Sequence, residues 1–468
     1  MMMVPKITFF LLTLYTICYG DNPGVNIQIT EHGLKKGVEY LLNNMMSNDT
    51  AYQLPDVTGT EKIALTDVAY AFTEVRIVNF QHGTILSQWT PETGMQITVE
   101  NNVATINCDW KLDSWLLKDS GSSVLTLSGL SISLVLGVQR IDPGLPFFYL
   151  HSCQSGVENV DVQMIGGISF IVDNMKEPVQ KVVRQNVNQQ LCSSIGNQVT
   201  KLDQWISHLR FNSSIHHLIE LDLSLVGHPE ISKQYANIGL KGLFRTHNES
   251  HSETAFSPSP MTLPVHDGAM LYTGVSQASL DSLCSVCYST GLLNLEISHT
   301  VDSKKLTTAD LAAYMPEISQ RFPNPAPVKI QMYPTRPPRV LLQPNNITVQ
   351  YGATIRTYVY PSKASICSVD IMADFQATMS LSEAIEAEGL NLTGSMSLIS
   401  LQIDGSQPTT AGQTGIVTKD GVERLLHQVV MPFFNEQIRE GYLIPSSFVK
   451  NASVSIEQDC VMWAADLK

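Results

Sequence analysis

The stretch PVQKVVRQNVNQQLCSSIGNQVTKLDQWISHL, residues 178–209, decides the fold. Its apolar residues Val179, Val182, Val183, Val187, Leu191, Ile195, Val199, Leu202, Ile206 and Leu209 recur mostly at steps of three and four. That spacing fits the period of an amphipathic helix, ~3.6 residues per turn. At ~1.5 Å per residue the helix is ~48 Å long. A compact domain of ~220 residues has a radius of gyration of ~17 Å, hence a diameter of ~44 Å. Either the domain is elongated or the helix is broken, with Gly196 the natural break. Pro178 is the first helical residue or, if the helix begins nearer Ile168, a kink. Cys192 lies midway along the helix, where Cys153 could staple it to whatever precedes it.

Upstream the pattern is different. A helix is expected over Ile29 to Leu42, with Leu34 and Val38 on one side. Period-two alternation follows in Met95, Ile97 and Val99, in Leu130 to Val138, and in Val160, Val162 and Met164. These read as antiparallel strands with one buried face. Downstream, strand signals recur near Leu221 to Val226 and Ala236 to Phe244. Residues 246–268, with Pro258, Pro260 and Pro264, read as a linker. Strands are expected again at Leu292 to Ile297, Val328 to Met332, Ile347 to Tyr351, Ile371 to Met379 and Met396 to Ile403. Two helices complete this half. One covers Asp310 to Phe322 with a kink at Pro316, and the other runs from Val422 to Ile438. The expected organisation is a signal peptide over 1–20, a domain over 21–245, the linker, and a second domain over 269–468.

Lys6 followed by the short apolar run Ile7 to Ile17 and by Gly20 marks a secretory signal, too short to span a membrane. Six Asn-x-Ser/Thr sequons, at Asn48, Asn212, Asn248, Asn346, Asn391 and Asn451, fit a secreted glycoprotein. Removing Cys18 leaves seven of the eight cysteines, an odd number, so one thiol stays free or pairs between chains. The net charge is −14, and acidic residues outnumber basic ones in both halves. Nucleic acid and anionic membrane are therefore disfavoured as principal partners.

Gly33-Leu-Lys-Lys, Leu54-Pro-Asp-Val, Trp110-Lys-Leu and Leu127-Ser-Gly-Leu-Ser-Ile-Ser follow one another along the first half. The joint ends in Met261-Thr-Leu-Pro-Val-His-Asp-Gly, and Leu425-Leu-His-Gln-Val-Val-Met-Pro-Phe-Phe marks the second half. In this order, with Cys153 and Cys192 flanking the start of the long helix, the chain resembles the family of bactericidal permeability-increasing, lipopolysaccharide-binding and plasma lipid-transfer proteins. The resemblance implies an α+β fold of two elongated domains. Each is a twisted antiparallel sheet wrapped around a long helix, and a central sheet joins them into a bent rod. It further implies a Cys153–Cys192 disulfide and an apolar lipid tunnel in each domain, with phospholipid, another amphipathic lipid or lipopolysaccharide as ligand. Leu34, Val38, Val179, Val183 and Leu191 are the expected tunnel walls.

Members that bind lipopolysaccharide carry Lys and Arg at the tip of the first domain. The matching segments here offer Lys111 and Lys118 against Glu92, Asp109, Asp113 and Asp119, a poor match for phosphates. Trp89, Trp110 and Trp115 are instead expected as peripheral anchors on a lipid surface. Cys284-Ser-Val-Cys287 follows the helix-like Ala278 to Leu283 rather than a strand, which favours a structural role over redox chemistry. Cys367 and Cys460 are candidates to pair, and Cys108 to stay free. G-x-S-x-G, H-E-x-x-H and the phosphate-loop motifs are missing from the sequence. No enzyme activity, cofactor or metal is expected.

Overall fold

The computed structural model describes residues 22–468, apart from 47–51, 54–55, 64–65, 116–117, 168, 209–211, 217, 248–255, 265–267, 299–304, 361–363, 384–388, 405–417, 441 and 446–448. The expected signal segment, Asn48, Asn248 and Leu209 lie outside the described residues. Two compact units emerge. The amino-terminal unit comprises Ile29–Leu209 with His228–Ala236, and the carboxyl-terminal unit holds the rest. This division differs from the expected one at residue 245. Strands Ile219–Asp222 and Leu243–Thr246 pair with each other, and the Phe244 N–H donates to Ser282 Oγ at 3.0 Å, which binds them to the carboxyl-terminal unit.

In the amino-terminal unit an eight-stranded sheet runs Tyr52–Gln53, Thr66–Gln81, Gly94–Asp113, Lys118–Ile141, Leu145–Gly156. Val57–Ile63, Thr84–Thr90 and Asn159–Ile165 pair onto these strands, and every pairing is antiparallel. Along Gly94–Asp113 the residues Ala104, Ile106, Cys108, Trp110 and Leu112 are buried, while Asn107, Asp109 and Lys111 face solvent. This is the expected period of two. Helix α1 covers Glu31–Met46 and helix α2 covers Ser169–His208. Helix α2 therefore begins nearer Ile168 and runs unbroken through both Pro178 and Gly196. At 40 residues it is ~60 Å long. The elongated alternative holds.

The carboxyl-terminal unit has a seven-stranded antiparallel sheet built on Asn346–Val359, Ala364–Glu383 and Gly389–Asp404. In the same unit Leu271–Ser276, Cys460–Leu467 and Val449–Glu457 are consecutive antiparallel neighbours in a second sheet. Helix α3 covers Gln277–Ser289, capped by the Ser276 side chain. The expected helix from Asp310 to Phe322 is instead two short pieces, Thr308–Leu311 and Glu317–Arg321, because Pro316 ends up at a new N-terminus rather than a kink. The expected helix from Val422 to Ile438 is present as Lys419–Leu425, a π-turn at Leu426–Val430, and Met431–Glu440. Pro432 has no N–H to give the preceding turn, and the widened turn sits just ahead of it.

Candidate lipid-binding site

Helix α2 is fastened along the edge of its own sheet. Gln180 Nε2 donates to the Val160 carbonyl (2.8 Å), and Ser155 Oγ donates to the Val187 carbonyl (3.0 Å). Cys192 is disulfide-bonded to Cys153, with the two Cα atoms 5.7 Å apart. A Cβ on Gly196 would stand 3.5 Å from Leu150 Cδ2, and the Phe148 N–H donates to Asp203 Oδ1 at 2.9 Å. Helix positions 180 to 203 climb as strand positions 160 to 148 descend. The helix advances ~35 Å over that span and an extended chain ~40 Å, so the two stay in step.

The same face of the sheet carries two buried clusters and a half-buried apolar run that adjoins both. At one end Phe72, Ile106, Trp110, Leu127, Val160 and Val179 form a buried cluster, with Val179 only 1% exposed. At the other end Leu34 and Val38 of α1 pack with Trp89, Ile231 and Ala236. Between them Met95, Ile97 and Val99 lie opposite Leu136, Leu134 and Ile132, and all six are only half-buried. Leu134 in turn faces Cys153, and Ile132 faces Ser155, the two residues tied to helix α2. Val183, Val187 and Leu191 of α2 are likewise half-buried. Met95 and Ile97 pack against the Trp89 cluster, and Val183, Val187 and Leu191 against the Trp110 cluster, and these half-buried side chains are the candidate lining of a lipid slot along α2. Such a surface gains ~0.8 kcal/mol for each methylene it removes from water.

The expected wall residues separate into two groups. Val179, Val183 and Leu191 lie together on α2, Val179 buried in the Trp110 cluster and the other two half-buried against it. Leu34 and Val38 belong to the distinct cluster around Trp89. The three tryptophans divide as well, and two expectations are corrected. Trp110 is 2% exposed, its indole packed where a Cβ on Gly121 or Gly167 would stand 2.8 Å away, and its Nε1 donates to the Ser122 carbonyl at 3.0 Å. Trp89 is buried against α1. Both sit at inward positions of alternating strands, so neither presents its ring to a lipid surface. Trp115 is 84% exposed in the turn after Asp113. Beside it Lys118 pairs with Asp113 at 3.4 Å.

The cysteines follow burial. Cys367 and Cys460 do not pair; they lie on strands of different sheets, and both are free, buried thiols. Cys108 is free and buried, as expected. Cys284 and Cys287 are also free, one turn apart on α3. Burial pushes the Cys284 thiol up to about 12 and raises Cys287 as well, the opposite of a redox thiolate. Of the sequons, Asn212, Asn346, Asn391 and Asn451 lie on strands, with Asn451 exposed. One inward position was missed. The alternation of Leu134, Leu136 and Val138 continues to Arg140, a charge on the apolar face.

An antiparallel sheet that carries a long helix over a half-buried apolar face offers the kind of surface a lipid-binding protein needs. Two family models match the chain: the N-terminal domain of the LBP / BPI / CETP family over residues 33–208 and the C-terminal domain over 213–468. The chain belongs to this family, whose members bind lipids or lipopolysaccharide. It is 26% identical to the human BPI fold-containing family C protein, over 95% of this chain and 89% of that one. It is 24% identical to the bactericidal permeability-increasing protein of Sebastes schlegelii, over 98% of both. A crystal structure of lipopolysaccharide binding protein superposes with a TM-score of 0.56 at 20% identity, covering 96% of this chain and 99% of that one. No helix among the described residues is long and apolar enough to cross a membrane.

Proposed function

We propose that the chain is a secreted, non-enzymatic lipid carrier that holds phospholipid-like acyl chains against helix α2. The observation that carries this reading is the half-buried apolar face between two filled clusters, with Ile97, Leu134 and Leu191 along it. A chain of about sixteen carbons contributes on the order of 12 kcal/mol on burial, before the costs of association. The exposed Trp115 serves as the contact with a lipid surface, and glycans at the sequons, Asn451 first among them, keep the secreted protein dispersed. Lipid extraction and native mass spectrometry of the secreted protein test the reading. Protein that carries no lipid and takes up no labelled phospholipid sinks it.

The similarity to proteins named for lipopolysaccharide favours a second reading, recognition of that lipid in host defence. The ion pair between Lys118 and Asp113 weakens it, because the lysine at the exposed turn already has a carboxylate. Salt-sensitive binding to lipid A supports this second reading, and absence of binding at low salt removes it.

A further inference from the structure

We propose that the slot along α2 ends in a site for a negatively charged lipid headgroup, formed by Arg140 with Trp89 and His228; this rests on the lipid-carrier reading. Strand register places the first two on one face. Trp89 lies opposite Met95, and Met95 lies opposite Leu136. Val138 and Arg140 follow Leu136 at steps of two, so they share its side of the sheet. Val138 packs in the same cluster as Trp89.

Both residues carry a buried N–H donor that has no acceptor: Nε1 of Trp89 and Nε of Arg140. Enclosed donors are paired as a rule, and a ligand oxygen is one way to pair them. The rest of the guanidinium is not committed to a strong partner. Its Nη2 stands 3.7 Å from Asp142 Oδ1, and the Asp142 side chain is 95% exposed. His228 is exposed beside Arg140, whose N–H donates to its Nδ1 at 3.2 Å. In the neutral ring the proton then sits on Nε2, a further donor. Of the other carboxylates at this end, Glu230 is engaged by the Tyr235 hydroxyl, Asp203 accepts the Phe148 N–H at 2.9 Å, and Glu92 is exposed in the turn after Trp89.

The order of groups along the strand therefore matches a lipid. Ile132, Leu134, Leu136 and Val138 are apolar and half-buried, and Arg140 closes the run at the solvent edge. From Ile132 to Arg140 the strand spans ~26 Å, enough for an extended fatty chain. The charged oxygen is a fatty-acid carboxylate or a phospholipid phosphate, both of which a guanidinium binds through paired N–H groups.

Delipidated protein titrated with palmitate, with dipalmitoyl phosphatidic acid and with methyl palmitate tests the site. Arg140→Gln should weaken the anion that belongs there by about tenfold and leave methyl palmitate unchanged. The anion that suffers identifies the source. Trp89→Phe keeps the packed ring and removes only the donor, and should weaken the same anion by about threefold at an unchanged melting temperature. Arg140→Gln binding both anions like wild type overturns the proposal, as does an equal loss for all three probes. Wild-type protein that binds none of the three removes the lipid-carrier reading itself, and the headgroup site with it.

Discussion

Trp110 owes its place to two glycines. Its indole rests where side chains at Gly121 and Gly167 would be, and Gly167 has the positive φ of 78° that favours glycine. A Cβ on Gly121 would stand 2.2 Å from the Ile165 backbone carbonyl, which cannot swing aside as a side chain can. Gly121→Ala should therefore destabilise the protein by about 1–3 kcal/mol, read from the denaturant midpoint. A midpoint equal to wild type refutes that account. The buried thiols give a second expectation. Burial pushes Cys108 and Cys367 up to about 11 and Cys284 to about 12, from an ordinary value of 9.0. Below 9.0 both folded and unfolded chains keep these protons; above it the unfolded chain loses them, while the folded chain keeps those of Cys108 and Cys367 to about 11 and that of Cys284 to about 12. Stability should hold below pH ~9 and fall above it. Urea midpoints at about pH 8 and about pH 10 measure the drop, and replacing the three cysteines by alanine should shrink it. An equal drop in that variant assigns it to other groups.

Helix α2 gains its position from attachments spread along its length, of which the disulfide is one. Cys153 and Cys192 are 39 residues apart in sequence, so closing that loop contributes roughly 3–4 kcal/mol in the chain-entropy model. Replacing both by serine should lower the unfolding free energy by that order. The hydrogen bonds of Gln180, Ser155 and Asp203 should still hold the helix in place, seen as retained helical circular dichroism at low temperature. Loss of helix signal without denaturant would show that the cross-link alone seats it. The helix stripe and the alternation of Met95 to Val99 and Leu130 to Val138 were readable in sequence because burial on one face imposes a period. The sequence left the start of α2 open between Pro178 and a point nearer Ile168, since a proline fits a first helical residue, and the structure takes the second with Ser169. Trp89 and Trp110 were misplaced. A tryptophan among polar neighbours looks exposed until strand parity is known, and bulges such as the one between Val99 and Asn102 reset that parity. The Cys153–Cys192 pair came from family resemblance, and the orphan donor on Arg140 needed coordinates.

The two units treat their interiors differently, and that sets how much lipid the whole chain holds. The family pattern implies a tunnel in each domain. In the carboxyl-terminal unit, however, Val422, Leu425, Leu426 and Val430 are almost wholly buried, Leu426 at 0% exposure, against an equally buried sheet face of Ile330, Ile355 and Ile371. Farther along that helix Asn435 Nδ2 donates to the Met396 carbonyl at 2.9 Å, and its Oδ1 accepts the Met396 N–H at 2.7 Å. This holds the half-buried Phe433 and Phe434 close to the strand. At these positions the helix packs directly on the sheet. In the amino-terminal unit the corresponding face is half-open at Ile97, Leu134, Val187 and Leu191. The expected occupancy is one lipid per chain rather than two. Native mass spectrometry after reloading with phospholipid should show a single adduct, and Val187→Trp, which places an indole in the slot, should abolish it with little loss of stability at this half-buried position. Two adducts on wild type, or one that survives Val187→Trp, would mean that the filled core of the carboxyl-terminal unit opens to admit a chain. The energy for that would have to come from the lipid, because displacing packed side chains costs about as much per methylene as burying a new one gains.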